Sequence, residues 1–192
     1  LGAISPDRFI DLAEKGGAMS KITQWVVREA AAYAGSWPVT SPALCIGINV
    51  SPTDLRDADF PFYVRDTLAE AQVDLASIHI EITELQAPHL TNGMLKALEQ
   101  LADFGVCLAI DDFGAGATSL GYLSTLPFRH LKLDRSLVEQ LHTDKGQAVV
   151  AKILELSHCL GMTTTVEGIE TEQQVQVARS LGAEIGQGYF FS

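Results

Sequence analysis

The sequence predicts an α/β fold built on a parallel sheet, and three observations carry that prediction. Strand-like apolar runs alternate with helical stretches along the 192 residues, the order that a parallel sheet with right-handed crossovers produces. The run Val106-Cys107-Leu108-Ala109-Ile110 is apolar on both faces, as a strand covered by helices on both sides must be. It closes on two adjacent aspartates, Asp111 and Asp112, and a glycine-broken loop, Phe113-Gly114-Ala115-Gly116. The C-terminal ends of parallel strands are where such folds place their chemistry. Alternation alone leaves a closed barrel and an open sheet both available. No GxGxxG opens a helix after the first strand, which argues against a dinucleotide-binding sheet.

Each element has its own signal. Ser5-Pro6-Asp7 predicts a helix start, with Ser5 as cap and proline in the first turn, where its missing N–H costs nothing. Phe9, Ile10, Leu12 and Ala13 continue that helix until Gly16-Gly17. A second helix is expected over 19–33, with Ile22, Trp25, Val26 and Ala30 on its apolar stripe. Strands follow over 44–50 and 78–83. A helix over 92–104 ends at Gly105, and strands 106–111 and 130–134 come next. The long helix 144–160 is stopped by Gly161, strand 162–167 follows, and helix 171–181 is stopped by Gly182. A strand over 185–189 closes the series. With no linker or low-complexity tract to divide it, 1–192 is expected to be one domain.

Composition narrows the function classes. A hydrophobic content of 47% and a charged content of 19% describe an ordinary globular chain. The net charge of −11 offers no basic face to duplex DNA or RNA, so a phosphorylated ligand would need cations beside it. Cys45, Cys107 and Cys159 form no CxxC pair and are expected as buried small hydrophobes in a reducing cytoplasm. No run approaches the ~20 apolar residues of a membrane span, which leaves any tethering of a parent protein to another segment. His79, His89, His130, His142 and His158 lack HxH or HExxH spacing, which argues against zinc. Without a GxSxG elbow, acyl chemistry has no support. Trp25, Trp37 and Phe128 are expected to pack rather than stack on bases, and His79 to pack beside Glu81.

Polar residues recur at strand ends: Asn49, then Glu81 and Glu84, then Asp111-Asp112, Lys132, Glu167 and Gln187. Taken singly each is a turn former, a cap or a snorkelling lysine; the repetition at equivalent positions points to a shared rim. Adjacent carboxylates repel unless a cation separates them. Asn49, Glu81 and Asp111 are oxygen donors suited to Mg²⁺ or Mn²⁺, and Asp112 and Glu167 to a second such ion. Lys132 would orient water or stabilise developing phosphoryl charge.

Seven ordered blocks resemble the EAL-domain family of cyclic di-GMP phosphodiesterases. They are Ser5-Pro6-Asp7-Arg8-Phe9-Ile10, Asn49-Val50-Ser51, Glu81-Ile82-Thr83-Glu84, Asp111-Asp112-Phe113-Gly114-Ala115-Gly116, Leu131-Lys132-Leu133-Asp134-Arg135, Glu167-Gly168-Ile169-Glu170-Thr171 and Gln187-Gly188-Tyr189. The resemblance implies a modified (β/α)8 TIM-like barrel with one antiparallel strand. It also implies Mg²⁺- or Mn²⁺-dependent hydrolysis of cyclic di-GMP to linear pGpG at two ions. Asn49, Glu81 and Asp111 match the ligands of one metal, and Asp111, Asp112 and Glu167 those of the second, with Asp111 bridging. Lys132 matches the lysine that holds the attacking water and, with Glu167, the catalytic set. Gln187 matches a glutamine lining the site, Glu84 a glutamate bracing the loop after the double aspartate, and Glu170 a supporting carboxylate. A homodimer and an upstream sensor or GGDEF domain are implied as well.

Three departures bear on that implication. The family's Glu-Ala-Leu, whose glutamate is a further metal ligand, and an earlier strand with a Gln-Pro pair lie upstream of Leu1, so the N-terminal strands are absent from this chain. A longer parent is therefore expected ahead of a truncated gene product or a barrel completed by a partner, and this piece alone is expected to be weakly active or inactive. Ala117-Thr118-Ser119 stands where the family has Tyr-Ser-Ser, and Val166 where it has alanine. The alternative is a catalytically inactive cyclic di-GMP receptor or a regulatory, dimerising module. An enolase-like Mg²⁺ barrel also uses strand-end acids and a lysine, but the double aspartate and the Gln187 block argue against it.

Overall fold

The computed structural model describes residues 6–37, 44–116 and 121–192. The expected Ser5 cap and the Ala117-Thr118-Ser119 departure lie outside these residues. The strands follow one another through a single six-stranded sheet in chain order, the arrangement that strand–helix alternation predicts. The chain forms two compact units, Leu1–Ile80 with Leu90–Val106, and Glu81–His89 with Cys107–Ser192.

The first unit holds α1 (Pro6–Lys15), α2 (Met19–Gly35), β1 (Ile46–Asn49), α3 (Pro52–Arg56), α4 (Phe60–Glu70), the start of β2 (Ile78–Thr83) and α5 (Asn92–Phe104). Helix α2 packs on β1, α3 and α4 through Thr23, Val27, Ala30 and Ala31. Of the expected stripe, Ala30 is buried, Ile22 and Val26 are half-buried, and Trp25 is 55% exposed, because the buried face is centred on Thr23, Val27 and Ala31. Helices α3 and α4 have no counterpart in the expected series, yet each starts with proline in its first turn. Ser51 caps α3 in a reciprocal box with Asp54. Asp54 Oδ2 also accepts from the Thr23 hydroxyl at 2.9 Å, tying α3 to α2. Met94, Ala97, Leu98 and Leu101 form the buried face of α5, which packs on α3 and α4.

The second unit carries the end of β2, then β3 (Cys107–Phe113), α6 (Gly121–Thr125), β4 (His130–Leu133), α7 (Arg135–Glu139), α8 (Asp144–Cys159), β5 (Thr163–Val166), α9 (Glu172–Ser180) and β6 (Ile185–Gly186). β3 to β6 are parallel, with Ala109 opposite His130, Lys132 opposite Thr165, and Val166 opposite Gly186. Buried His130 bridges β4 to β5, with Nδ1 2.7 Å from the Thr163 hydroxyl and Nε2 2.8 Å from that of Thr165. α8 lies on β5 and α7, burying Val150, Leu154 and Ser157. Its first turn touches the preceding turn so closely that a Cβ on Gly146 would lie 2.1 Å from the Gln140 carbonyl oxygen.

Three sequence expectations are corrected here. Cys45 and Cys159 are exposed and Cys107 half-buried, because Cys45 precedes β1 and Cys159 ends α8 on its outer face. β6 stops at Gly186 rather than 189, since Gln187 turns its backbone toward Val166 and Ile169. β3 runs on to Phe113, so both aspartates belong to the strand. Phe128 is buried as expected, and Trp37 stacks edge-on against Tyr33. No helix among the described residues is long and apolar enough to cross a membrane.

Candidate metal centre

Lys132 lies at the middle of the centre. Strand alternation buries its neighbours Leu131 and Leu133 and directs Lys132 to the opposite face. Its ammonium donates to Glu81 Oε2 at 3.0 Å, Asp111 Oδ1 at 2.9 Å and Glu167 Oε1 at 3.0 Å. Glu81 comes from β2, Asp111 from β3, and Glu167 follows β5. One strand-borne cation thus gathers carboxylates from three other segments of the chain.

Asp112 joins the cluster through an irregular backbone. Successive strand residues normally point to opposite faces, which would separate Asp111 from Asp112. The β3–β4 register instead shifts between Ile110 and Phe113, and Asp112 adopts φ 55°, the left-handed region that aspartate tolerates better than most residues. Such a bulge re-aims side chains beside functional sites. Carboxylate oxygens of Asp111, Asp112 and Glu167 consequently lie within 4.8 Å of one another. Asp111 Oδ1 also accepts from the Asp112 N–H at 3.0 Å. Glu84 holds the loop beyond: it accepts from the Gly114 N–H at 2.7 Å, while its own N–H donates to the Asp111 carbonyl.

The electrostatics show a surplus of negative charge. Four carboxylates, Glu81, Asp111, Asp112 and Glu167, face one ammonium. Burial raises the Glu81 and Glu167 carboxyls above their usual range despite the lowering effect of Lys132. Asp112 is raised by burial first, then by the charges of Asp111 and Asp134. Burial works against the Lys132 charge, but Glu81 and the three carboxylate hydrogen bonds outweigh it and hold the ammonium above its ordinary pKa. An all-oxygen, partly buried donor set with uncompensated charge fits a hard divalent cation such as Mg²⁺ or Mn²⁺.

Of the residues singled out by sequence, the structure brings together Glu81, Asp111, Asp112, Lys132 and Glu167, with Glu84 on the adjoining loop. Gln187 has an exposed side chain, and its backbone bonds Val166 and Ile169, on either side of the Glu167-Gly168 step. Glu170 pairs with Arg135 Nη2 at 3.0 Å rather than with the cluster. Asn49 ends β1 in the first unit and is exposed. Arg135 was not singled out from sequence. Its signal was Asp134, which caps α7 and so fixes Arg135 at the helix start.

A family model described as EAL domain matches residues 1–192. The oxygen sensor protein DosP of Escherichia coli (strain K12) is 34% identical over 195 residues, which cover 100% of this chain and 24% of that protein. The cyclic di-GMP phosphodiesterase NbdA of Pseudomonas aeruginosa is 34% identical over 193 residues, covering 100% of this chain and 25% of that protein. A solved PaMucR phosphodiesterase in complex with c-di-GMP superposes with a TM-score of 0.90 at 34% identity, covering 100% of this chain and 78% of that one. The chain spans about a quarter of the length of these curated relatives.

Proposed function

The chain belongs to the EAL domain family, with its TIM-barrel-like α/β fold, and we propose that its parent protein hydrolyses cyclic di-GMP to linear pGpG with two divalent cations, Mg²⁺ or Mn²⁺. The observation that carries this reading is the convergence of Asp111, Asp112 and Glu167 around a lysine buried among carboxylates. The substrate is drawn from the relatives named as cyclic di-GMP phosphodiesterases and from the c-di-GMP complex of PaMucR.

In this reading Asp111, Asp112 and Glu167 would hold one ion, and Glu81 and Asp111 would serve the other, to which the family resemblance assigns Asn49 as well. Bound cations would offset the negative charge of the phosphodiester and make a water nucleophilic at neutral pH. The chain's own residues do the rest. Lys132, kept protonated by its three partners, would turn one of the three N–H donors that hold Glu81, Asp111 and Glu167 here toward the attacking water or a phosphoryl oxygen. The carboxylate bonds that remain keep the ammonium in place. Glu84 fixes the loop that follows the aspartates, Gln187 contacts the nucleotide, and Glu170 supports the turn bearing Glu167. The reaction adds the water oxygen to phosphorus and breaks one phosphorus–3′-oxygen bond. The departing oxygen takes up a proton.

The relatives are about four times as long as the stretch matched and one is named an oxygen sensor protein, which supports a sensor domain in the parent; a GGDEF domain rests on the family resemblance. A homodimer is part of the same proposal and is checked by light scattering. The enzymatic reading is tested by incubating the parent protein with cyclic di-GMP and Mn²⁺ and separating the products. Release of pGpG supports it. Nucleotide binding without product instead selects the receptor reading.

A further inference from the structure

We propose that Arg135 is a positioning residue that locks the turn from Glu167 to Glu170 and thereby holds the Glu167 carboxylate ready for the cation, an inference that rests on the metal-dependent reading above. Arg135 touches the turn at two places. Gly168 has φ +72°, and a Cβ there would lie 2.6 Å from Arg135 Cγ and 2.7 Å from Arg135 Cβ. The arginine stem therefore lies directly against the glycine backbone. Its guanidinium then reaches Glu170 Oε1 at 3.0 Å, while Nε donates to Glu139 Oε1 at 2.8 Å.

The other contacts of the turn complete the lock. The Glu167 N–H donates to the Leu133 carbonyl, at the end of the strand that bears Lys132. The Ile169 N–H donates to the Gln187 carbonyl, and the Ile169 carbonyl accepts from the Phe190 N–H. The Glu170 N–H donates to Gln174 Oε1 at 2.8 Å. Each residue of the turn thus has a fixed partner, and Arg135 supplies two of them with one side chain. Arg135 and Glu170 are exposed, so their pairing adds little to overall stability. A support that selects one loop conformation still matters to a ligand, because outer partners of metal-binding groups govern affinity. A plainer account makes Arg135 only the helix-surface partner of Glu139, and the experiment separates the two.

Mn²⁺ is titrated calorimetrically into the parent protein as wild type, Arg135→Ala, Glu170→Ala, the double variant and Glu139→Ala. The lock predicts about tenfold weaker Mn²⁺ binding in each of the first two variants, the low end for losing an outer support. It also predicts no further loss in the double variant and no change in Glu139→Ala. In parallel, amide exchange without metal is expected to quicken at Glu167 and Ile169 in Arg135→Ala, with the His130–Leu133 strand unaffected. Unchanged exchange overturns the lock. Faster exchange with unchanged Mn²⁺ affinity overturns its effect on Glu167. A wild-type parent protein that takes up no Mn²⁺ sinks the metal reading and the positioning role with it, while the exchange data still report on the turn.

Discussion

Lys132 balances only part of the charge around it, and that imbalance sets what single residues do. Replacing it with alanine removes the counterion shared by Glu81, Asp111 and Glu167. Turnover is expected to fall by roughly 10²- to 10³-fold, the usual cost of losing one preorganised donor, while Mn²⁺ affinity does not weaken. A steady-state assay with Mn²⁺ titration reads the two separately. Glu81, Asp112 and Glu167 all bind their protons more tightly than ordinary carboxyls, chiefly through burial. Their contribution to metal-free stability is therefore present at acidic pH and lost as pH rises through these raised values. A cation competes with the same protons, so the rise in Tm on adding Mn²⁺ is expected to be larger at pH 8 than at pH 5, measured by calorimetry. The acids were legible in the sequence because strand ends place them regularly. The Arg135–Glu170 pair was not, because no periodicity links a helix start to a distant turn.

Among the elements, α5 and β2 match the sequence expectation at both ends, and Gly105, at φ 102°, marks the end of α5. Short helices escaped that expectation. α3, α6 and α7 are five residues each, too brief for a periodic pattern; Ser51 and Pro52 mark the start of α3 and Asp134 that of α7. In α2 the buried face falls about one residue later than the expected stripe, at Thr23, Val27 and Ala31, with Ala30 common to both. Gly146 gives this scale its own prediction. A methyl group there collides with the Gln140 backbone, which cannot yield without moving the turn before α8. Gly146→Ala is expected to cost about 1–3 kcal/mol, seen as a lower urea midpoint with an unchanged slope.

For the whole molecule, alternation of strands and helices was enough to anticipate a parallel sheet, whereas barrel architecture came from the family resemblance alone. The gathered acids Glu81, Asp111, Asp112 and Glu167 all lie in the second compact unit. Mn²⁺ is therefore expected to slow amide exchange first in β3, β4 and β5. At a hundredfold excess over its Kd it should stabilise the fold by about 2.7 kcal/mol, and chelation should reverse both effects. The backbone at Asp112 also restricts which sequences can descend from this one. Its positive φ is a conformation that asparagine shares and bulky or branched residues do not. Asparagine is a single base change from aspartate. The change is expected to keep the bulge while removing one carboxylate, so a lineage can shed the proposed cation site here without shedding the fold. Intact architecture in a distant descendant would then say nothing about its chemistry; the residue at this one bend would.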